Sequence, residues 1–401
     1  MIEFDAVKAK NLSLDMSRGK PCNEQLDLSD DMLNILSADD FKNNSYRNYG
    51  ILDGIPECKK LFADLTGVNC ENVIVGGNSS LNMMYDTLAR CMLYGFNGGK
   101  PWNSQGKVKF IAPVPGYDRH FAVCQSLGIE MINVPMTPNG PDMDIVEDLV
   151  KNDESIKGMW NVPKYSNPDG YVYSDETVKR LAKMECKADD FILMWDNAYI
   201  VHTLYTDCAK IPEIISECEK AGFPNRAVEF VSTSKISFPG AGVAALISSK
   251  ENVESIKKIM ASQTIGHDKI NQLRHVKYFK NADGIVSYMQ KHADILRPKF
   301  EAVDAMLEKE LSSLGIARWT KPKGGYFISF YIADGCAKRT VSLCKEAGVI
   351  LTGAGAAFPY GNDANDSNIR IAPSLPPIDE LQTAISVLCL CAKIAVLEKL
   401  I

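Results

Sequence analysis

The sequence predicts an α/β protein: a large domain with a mainly parallel sheet of the seven-stranded type between helices, plus a smaller α+β domain. Three observations predict it. From about residue 70 to 235, short apolar runs alternate with stretches of helical periodicity, the pattern of a sheet covered on both faces. Polar residues gather just past the ends of those runs, where an open α/β sheet forms its crevice. Towards the C-terminus the pattern changes to long helices and short alternating strands. The expected division is an N-terminal arm with part of the smaller domain at 1–44, the large domain at 45–290 and the smaller domain at 291–401.

A chain of 401 residues can bury a large core. Hydrophobic residues make up 46% and charged residues 23%, ordinary values for a globular protein. The net charge of −6, with no long basic run, argues against a nucleic-acid or anionic-membrane surface. No apolar run is expected to reach the roughly 18–20 residues of a bilayer span. The N-terminus has early acidic residues and no apolar stretch of the secretory kind. The twelve cysteines include no CxxC, the closest pair being Cys389 and Cys391, so reduced thiols in a cytoplasmic protein are expected. Five histidines without paired spacing give no metal site.

Taken in order, residues 1–20 read as an arm or short helix ending in the turn Ser17-Arg18-Gly19-Lys20-Pro21. Leu28 to Leu36 has helical spacing behind Ser29-Asp30-Asp31. A polar aromatic loop carries Tyr46 to Gly50, and Pro56 opens a helix to Thr66. Strand Asn72–Val75 runs through Gly76-Gly77-Asn78-Ser79-Ser80 into a helix from Leu81 to Tyr94. That arrangement aims free N–H groups at an anion, though no Gly-Lys-Ser/Thr follows to make a Walker motif. Strand Val108–Ala112 precedes Pro115-Gly116-Tyr117-Asp118-Arg119-His120, helix Phe121–Leu127 and strand Glu130–Val134. Helix Met143–Lys151 and strand Gly158–Val162 lead to Asn167-Pro168-Asp169-Gly170. Helix Ser174–Glu185 and strand Phe191–Trp195 lead to Asp196-Asn197-Ala198-Tyr199. A strand ending Glu229-Phe230-Val231 delivers Ser232-Thr233-Ser234-Lys235. Strand Val243–Ser248, helix Asn252–Met260 and a helical region Lys269–Arg297 follow. The smaller domain reads as helix Phe300–Leu314, strands at Arg318–Trp319 and Gly324–Phe330, helix Cys336–Ala347, strands Val349–Leu351 and Asn368–Ala372, and helix Pro377–Leu397.

A lysine just past a strand end, flanked by hydroxyls, suits either a Schiff base to an aldehyde cofactor or a phosphate contact. Read singly, it is equally a solvated surface lysine. Asp196 equally caps a turn, Asn167 belongs to a turn whatever the function, Arg370 suits a surface ion pair, and Tyr117 suits ordinary packing. Together they fit a pyridoxal phosphate site. Lys235 would bond the cofactor and shuttle the proton. Asp196 would pair with the pyridine nitrogen, keeping the ring protonated as an electron sink. Tyr199 and Asn167 would contact the ring's phenolic oxygen, and Tyr117 would stack on the ring. Gly77, Asn78, Ser79, Ser232 and Ser234 would hold the phosphate, and Arg370 would take a substrate carboxylate in a bidentate fork.

These motifs stand in one order: RGKP at 18–21, YGILDG at 49–54, GGNSSL at 76–81, PGYDRH at 115–120, NPDG at 167–170, DNAY at 196–199, STSK at 232–235 and IRIAPS at 369–374. In that order the chain resembles, over nearly its whole length, the fold-type I pyridoxal phosphate enzymes of the class I/II aminotransferases. It is most similar to the bacterial aspartate aminotransferase subgroup with GGNSSL, PGYDRHF and NQLRH motifs, the last at Asn271–His275. The resemblance implies a homodimer with shared active sites. It places Tyr49 on the neighbouring subunit's cofactor phosphate, His120 behind Asp196, and Gly19 beside the substrate carboxylate. It implies ping-pong exchange between an L-amino acid, aspartate or glutamate, and a 2-oxo acid, 2-oxoglutarate or oxaloacetate. Arg18, Lys20 or Arg119 would read a distal carboxylate. One departure stands out: many relatives place a phosphate-gripping arginine about eight residues after the lysine, and this chain has Val243, leaving Lys269 and Arg274 as candidates. Alanine or aromatic donors, a C–S or β-lyase, and a ligand-sensing regulatory module are the alternatives. The last is disfavoured because no basic helical DNA-binding domain precedes the arm.

Overall fold

Strands that read as unbroken apolar runs are those buried along their whole length, and they build the centre of the molecule. The structure is a computed structural model that describes residues 2–207 and 209–401. Its strands are β1 (Leu14–Asp15), β2 (Val73–Val75), β3 (Lys109–Val114), β4 (Glu130–Thr137), β5 (Gly140–Pro141), β6 (Ile156–Asn161), β7 (Ile192–Asp196), β8 (Ala227–Ser232), β9 (Ala244–Ser248), β10 (Ala317–Trp319), β11 (Ile328–Ile332), β12 (Val349–Ile350) and β13 (Asn368–Ile371). Among the described residues the principal sheet has eight strands in the order β2-β9-β8-β7-β6-β3-β4-β5. The run from β4 through β3, β6 and β7 to β8 is parallel. Strand β9 is antiparallel to both β8 and β2, and the two-residue β5, absent from the expected pattern, closes the far edge antiparallel to β4.

Helices cover both faces, as the alternation requires. Pro56–Thr66, Met143–Asn152, Asp175–Lys183 and Ile214–Lys220 bury their apolar sides on one face. Ser80–Tyr94, Asp118–Ser126 and Lys250–Met260 do so on the other. Parallel strands bring Asn161, Asp196 and Ser232 to one edge. The antiparallel β9 and β2 return the Gly76–Ser79 turn to the same edge, with Ser232 opposite Ala244 and the Gly76 N–H on the Ala244 carbonyl. A second, antiparallel sheet, β10-β11-β13, packs with helices Ala282–Leu311, Ala337–Glu346 and Ile378–Leu400. The N-terminal arm joins that unit through β1, parallel to β12.

Several expectations need correction. Leu28–Leu36 forms only a 3₁₀ turn, Asp30–Asn34. The helical region from Lys269 breaks at Lys280, whose φ of 65° leaves the helical range, and Asn281 caps the next helix through Gly284 N–H. That helix is continuous from Ala282 to Leu311, passes through Pro298, and joins two helices expected to be separate. Residues 290 and 291, where the two domains are expected to divide, lie along this helix, which leaves that division untested. Helix Ile214–Lys220 was not anticipated; Glu213 caps it by accepting from the Ile215 and Ser216 N–H groups. The expectation of no long apolar run fails at Ile378–Leu400, a helix long and apolar enough by length and composition to cross a bilayer. Its hydropathy reflects burial: 61% of its most apolar window lies inside the protein, against the core of the smaller unit.

Candidate active site

Strand β2 delivers a turn whose first glycine is tightly packed, since a Cβ at Gly76 would lie 2.7 Å from the Met83 sulfur. Gly77 is open by contrast, with nothing nearer than 3.9 Å to such a Cβ. Ser79 caps the following helix, its Oγ accepting from Asn82 N–H at 3.4 Å. Ser234 Oγ donates to the Asn78 carbonyl at 3.0 Å, and Ser232 Oγ donates to Ser234 Oγ at 3.2 Å. Gly77, Asn78, Ser79, Ser232 and Ser234 are thus one cluster of hydroxyls and backbone amides at a helix N-terminus, an anion-binding arrangement.

Lys235 follows in the turn after β8, half-buried, with Nζ 5.3 Å from the centre of the Tyr199 ring. Its carbonyl accepts from Tyr326 Oη at 3.3 Å and lies 3.3 Å from His202 Nε2. Burial lowers the Lys235 pKa, against the opposing pull of the Asp196 charge. A lysine so placed gives up its proton more readily than a surface one, which nucleophilic chemistry requires.

Asp196 ends β7 and is buried. Its Oδ2 lies 2.9 Å from His120 Nε2, while Oδ1 has no partner. His120 is stacked on Trp160 with ring centres 4.1 Å apart and planes at 3°. Tyr117 stands edge-on to His120 at 5.0 Å, and its phenol is pushed up to about 12 by burial and by the nearby Asp196 and Asp118 charges. Burial, then Tyr117 and Asp196, hold the Tyr199 phenol well above its ordinary value. It stays protonated and able to donate.

The second sheet supplies the cation. Arg370, on β13, donates through Nη1 to Asp118 Oδ1 at 2.8 Å and to Asn167 Oδ1 at 3.3 Å, and its Nε is buried without a partner. The guanidinium lies 4.9 Å from the Phe327 ring centre. Gly19 packs on that same ring: a Cβ there would come within 2.4 Å of it. The arm, the second sheet and the large sheet therefore meet at one crevice.

Most residues singled out in the sequence meet there. Tyr49 stands apart, its ring 82% exposed. Lys269 gives its ammonium to the Gly50 carbonyl at 3.0 Å, so it holds the loop that carries Tyr49. Val243 is buried, its N–H on Thr233 Oγ1. The turn before it is pinned by Asn271 Nδ2 to the Ala241 and Gly242 carbonyls. Sequence reasoning missed Trp160 and the partnership of Asp118 with Arg370. It also missed Tyr326 and His202 at the Lys235 carbonyl.

The residues fit the group the sequence suggested. A buried aspartate with one unpartnered oxygen can accept from a pyridinium N–H, and the hydroxyl and amide cluster can take a phosphate. The fold is that of the fold-type I aminotransferases. The α-aminoadipate aminotransferase of Thermus thermophilus, crystallised with N-(5'-phosphopyridoxyl)-L-leucine, superposes with a TM-score of 0.79 over 98% of this chain and 95% of its own, at 20% identity. More narrowly, the chain belongs to the aspartate aminotransferase family, whose model, described as aspartate amino-transferase, matches residues 1–401. It is 46% identical over 400 residues to the aspartate aminotransferase of Corynebacterium glutamicum, covering 99% of this chain and 92% of that relative. The crystal structure of an aspartate transaminase from the same organism matches with a TM-score of 0.97 at 46% identity, covering 99% and 95% of the two chains. The protein is thus a transaminase, of a family that acts on amino acids and 2-oxo acids and depends on pyridoxal phosphate.

Proposed function

We propose that this protein exchanges an amino group between L-aspartate or L-glutamate and a 2-oxo acid, 2-oxoglutarate or oxaloacetate, by a ping-pong reaction at a pyridoxal phosphate held by Lys235 and Asp196. The observation that carries the reading is the open Oδ1 of buried Asp196, in a crevice with a lysine of lowered pKa and a buried arginine. The donor class is supported by the likeness to the aspartate aminotransferase of Corynebacterium glutamicum.

Pyridoxal phosphate, when bound, supplies a sink for the electrons released as the substrate Cα–H bond breaks. The side chains do the rest. Lys235 Nζ would hold the cofactor and would carry the proton taken from the substrate Cα. Asp196 Oδ1, unpartnered, would accept from the ring nitrogen, with His120 beside Oδ2. Tyr199 and Asn167 would contact the phenolic oxygen, and Tyr117 would pack on the ring. Gly77, Asn78, Ser79, Ser232 and Ser234 would hold the phosphate by hydrogen bonds. Arg370 takes the substrate α-carboxylate with Gly19 and Asn167 beside it. The exposed Tyr49 serves the neighbouring subunit of a homodimer, and the enzyme works in the cytoplasm.

Absorbance spectroscopy of the purified protein tests this. A band at the edge of the visible should move to the near ultraviolet on adding L-aspartate and return with 2-oxoglutarate. Lys235→Ala should stay folded, lose the covalent adduct and lose turnover by at least about 10⁴-fold. A band indifferent to aspartate and glutamate removes the donor assignment. A normal adduct in Lys235→Ala removes the lysine.

A further inference from the structure

Behind the sheet edge lies a second chamber, a cavity of about 500 Å³ that does not open on Lys235 or Asp196. Its apolar lining includes Trp195, Ile200, Ile211, Ile214, Val286 and Met289. Glu229 lines it from the middle of β8 and is only 2% exposed. One of its oxygens, Oε1, accepts from Asn197 Nδ2 at 2.7 Å, the single hydrogen bond the carboxyl makes with described residues. Thr206 and Lys210 stand exposed at its rim, and several other polar groups around the cavity are already engaged. Glu213 caps its helix with both oxygens. Lys164 Nζ donates to the Ile200 carbonyl at 2.8 Å. Thr66 and Thr203 donate to main-chain carbonyls. No lysine or arginine among the described residues forms an ion pair with Glu229; the charge that acts on it is that of Glu213.

A buried carboxyl must be neutral or paired. The chain supplies no counter-charge, so Glu229 keeps its proton, its pKa pushed up to about 8 by burial and then by Glu213. A largely apolar surface with a buried carboxyl set into it has the make-up of a small-molecule site, and the volume is in the usual range. Beside Glu229 an anion is disfavoured, because the charge acting there is that of Glu213; Lys164 and Lys210 line other parts of the cavity. An ammonium ion displaces the Glu229 proton to solvent and replaces it with an ion pair, strengthened by the low-dielectric walls.

We propose that this chamber is a second ligand site, separate from the Lys235 crevice, for an organic ammonium ion with an apolar body, its N–H on the free oxygen of Glu229. Such a ligand rests on the two strands that carry the catalytic groups: Glu229 precedes Ser232 on β8, and Asn197 follows Asp196 at the end of β7.

The test is calorimetric titration of the holoenzyme with N,N-dimethylhexylamine, whose tertiary nitrogen cannot form a Schiff base with an aldehyde. Saturable binding at least about tenfold tighter than that of neutral hexanol is expected. Glu229→Gln should abolish that preference. Val286→Trp, which fills the chamber and leaves Glu229 in place, should abolish binding of both probes without changing transaminase turnover, and it decides the matter if Glu229→Gln does not fold. Equal affinity for amine and alcohol, a preference that survives Glu229→Gln, binding that survives Val286→Trp, or no binding by either probe overturns the proposal.

Discussion

Two buried aspartates flank strand β7, Asp190 just before its start and Asp196 at its end. Asp190 is closed. Its Oδ1 takes the Lys157 ammonium at 2.7 Å, and its Oδ2 accepts from Trp102 Nε1 at 3.0 Å and Gln105 Nε2 at 2.9 Å. Asp196 is open, with His120 on Oδ2 and nothing on Oδ1. Residue type and burial are shared, so neither separates structure from function. The completeness of the partner shell differs: a saturated acid at the entry edge of the sheet ties the fold together, and the unsaturated one at the exit edge keeps an oxygen open for the ligand proposed above.

The contrast can be broken by substitution. Asp196→Ala should lower kcat by roughly 10²–10⁴-fold while the variant stays folded, as steady-state kinetics and circular dichroism will report. Near-normal turnover would take Asp196 out of the reaction. Lys157→Ala should do the reverse. It leaves Asp190 buried and unpaired, so denaturant unfolding should show a loss of about 3–5 kcal/mol, with kcat of the remaining folded enzyme unchanged. Arg370→Lys keeps a charge but not the fork, and should raise the amino-acid KM about tenfold, the worth of one good hydrogen bond. An unaltered KM would place the substrate carboxylate elsewhere.

A pH-dependent effect concerns Glu229. Its folded pKa of about 8 stands above the ordinary 4.5, so the native state holds a proton that the unfolded state has lost. Raising the pH through that window therefore favours unfolding, and the effect levels off above it. Melting temperatures of Glu229→Gln relative to the parent should rise from pH 5 to pH 8 and then flatten. Parallel curves would show that Glu229 ionises as an ordinary glutamate.

Much of this site was legible before any coordinates, and the reason is topological. Parallel strands buried on both faces announce themselves as apolar runs, and their C-terminal ends must share an edge. Lys235, Asp196, Asn167 and the Gly77–Ser79 turn could therefore be gathered from strand ends alone. Trp160 could not, because a tryptophan within a buried strand reads as core whether or not it stacks on His120. Asp118 was hidden because its partner Arg370 comes from a different sheet. Helix Ala282–Leu311 was read as two pieces because Pro298 has the local signature of a break, whereas buried neighbours on both sides of it, Leu296 and Phe300, hold the helix to the core. Glu229 reads in the sequence only as part of a strand end, since periodicity does not report what lies behind a sheet.

With Arg370 in the role proposed for it, its pairing with Asp118 would make substrate entry an exchange rather than a capture. Asp118 Oδ1 already occupies Nη1 at 2.8 Å, so the guanidinium is desolvated and oriented before any amino acid arrives. An incoming α-carboxylate would then replace a tethered acid, and the net electrostatic work of that swap would be small. Selection then falls on shape, because a two-point fork from a free carboxylate competes with a one-point contact from a side chain. On departure the same tethered acid returns to the vacated nitrogen, giving product release a chaperone of its own.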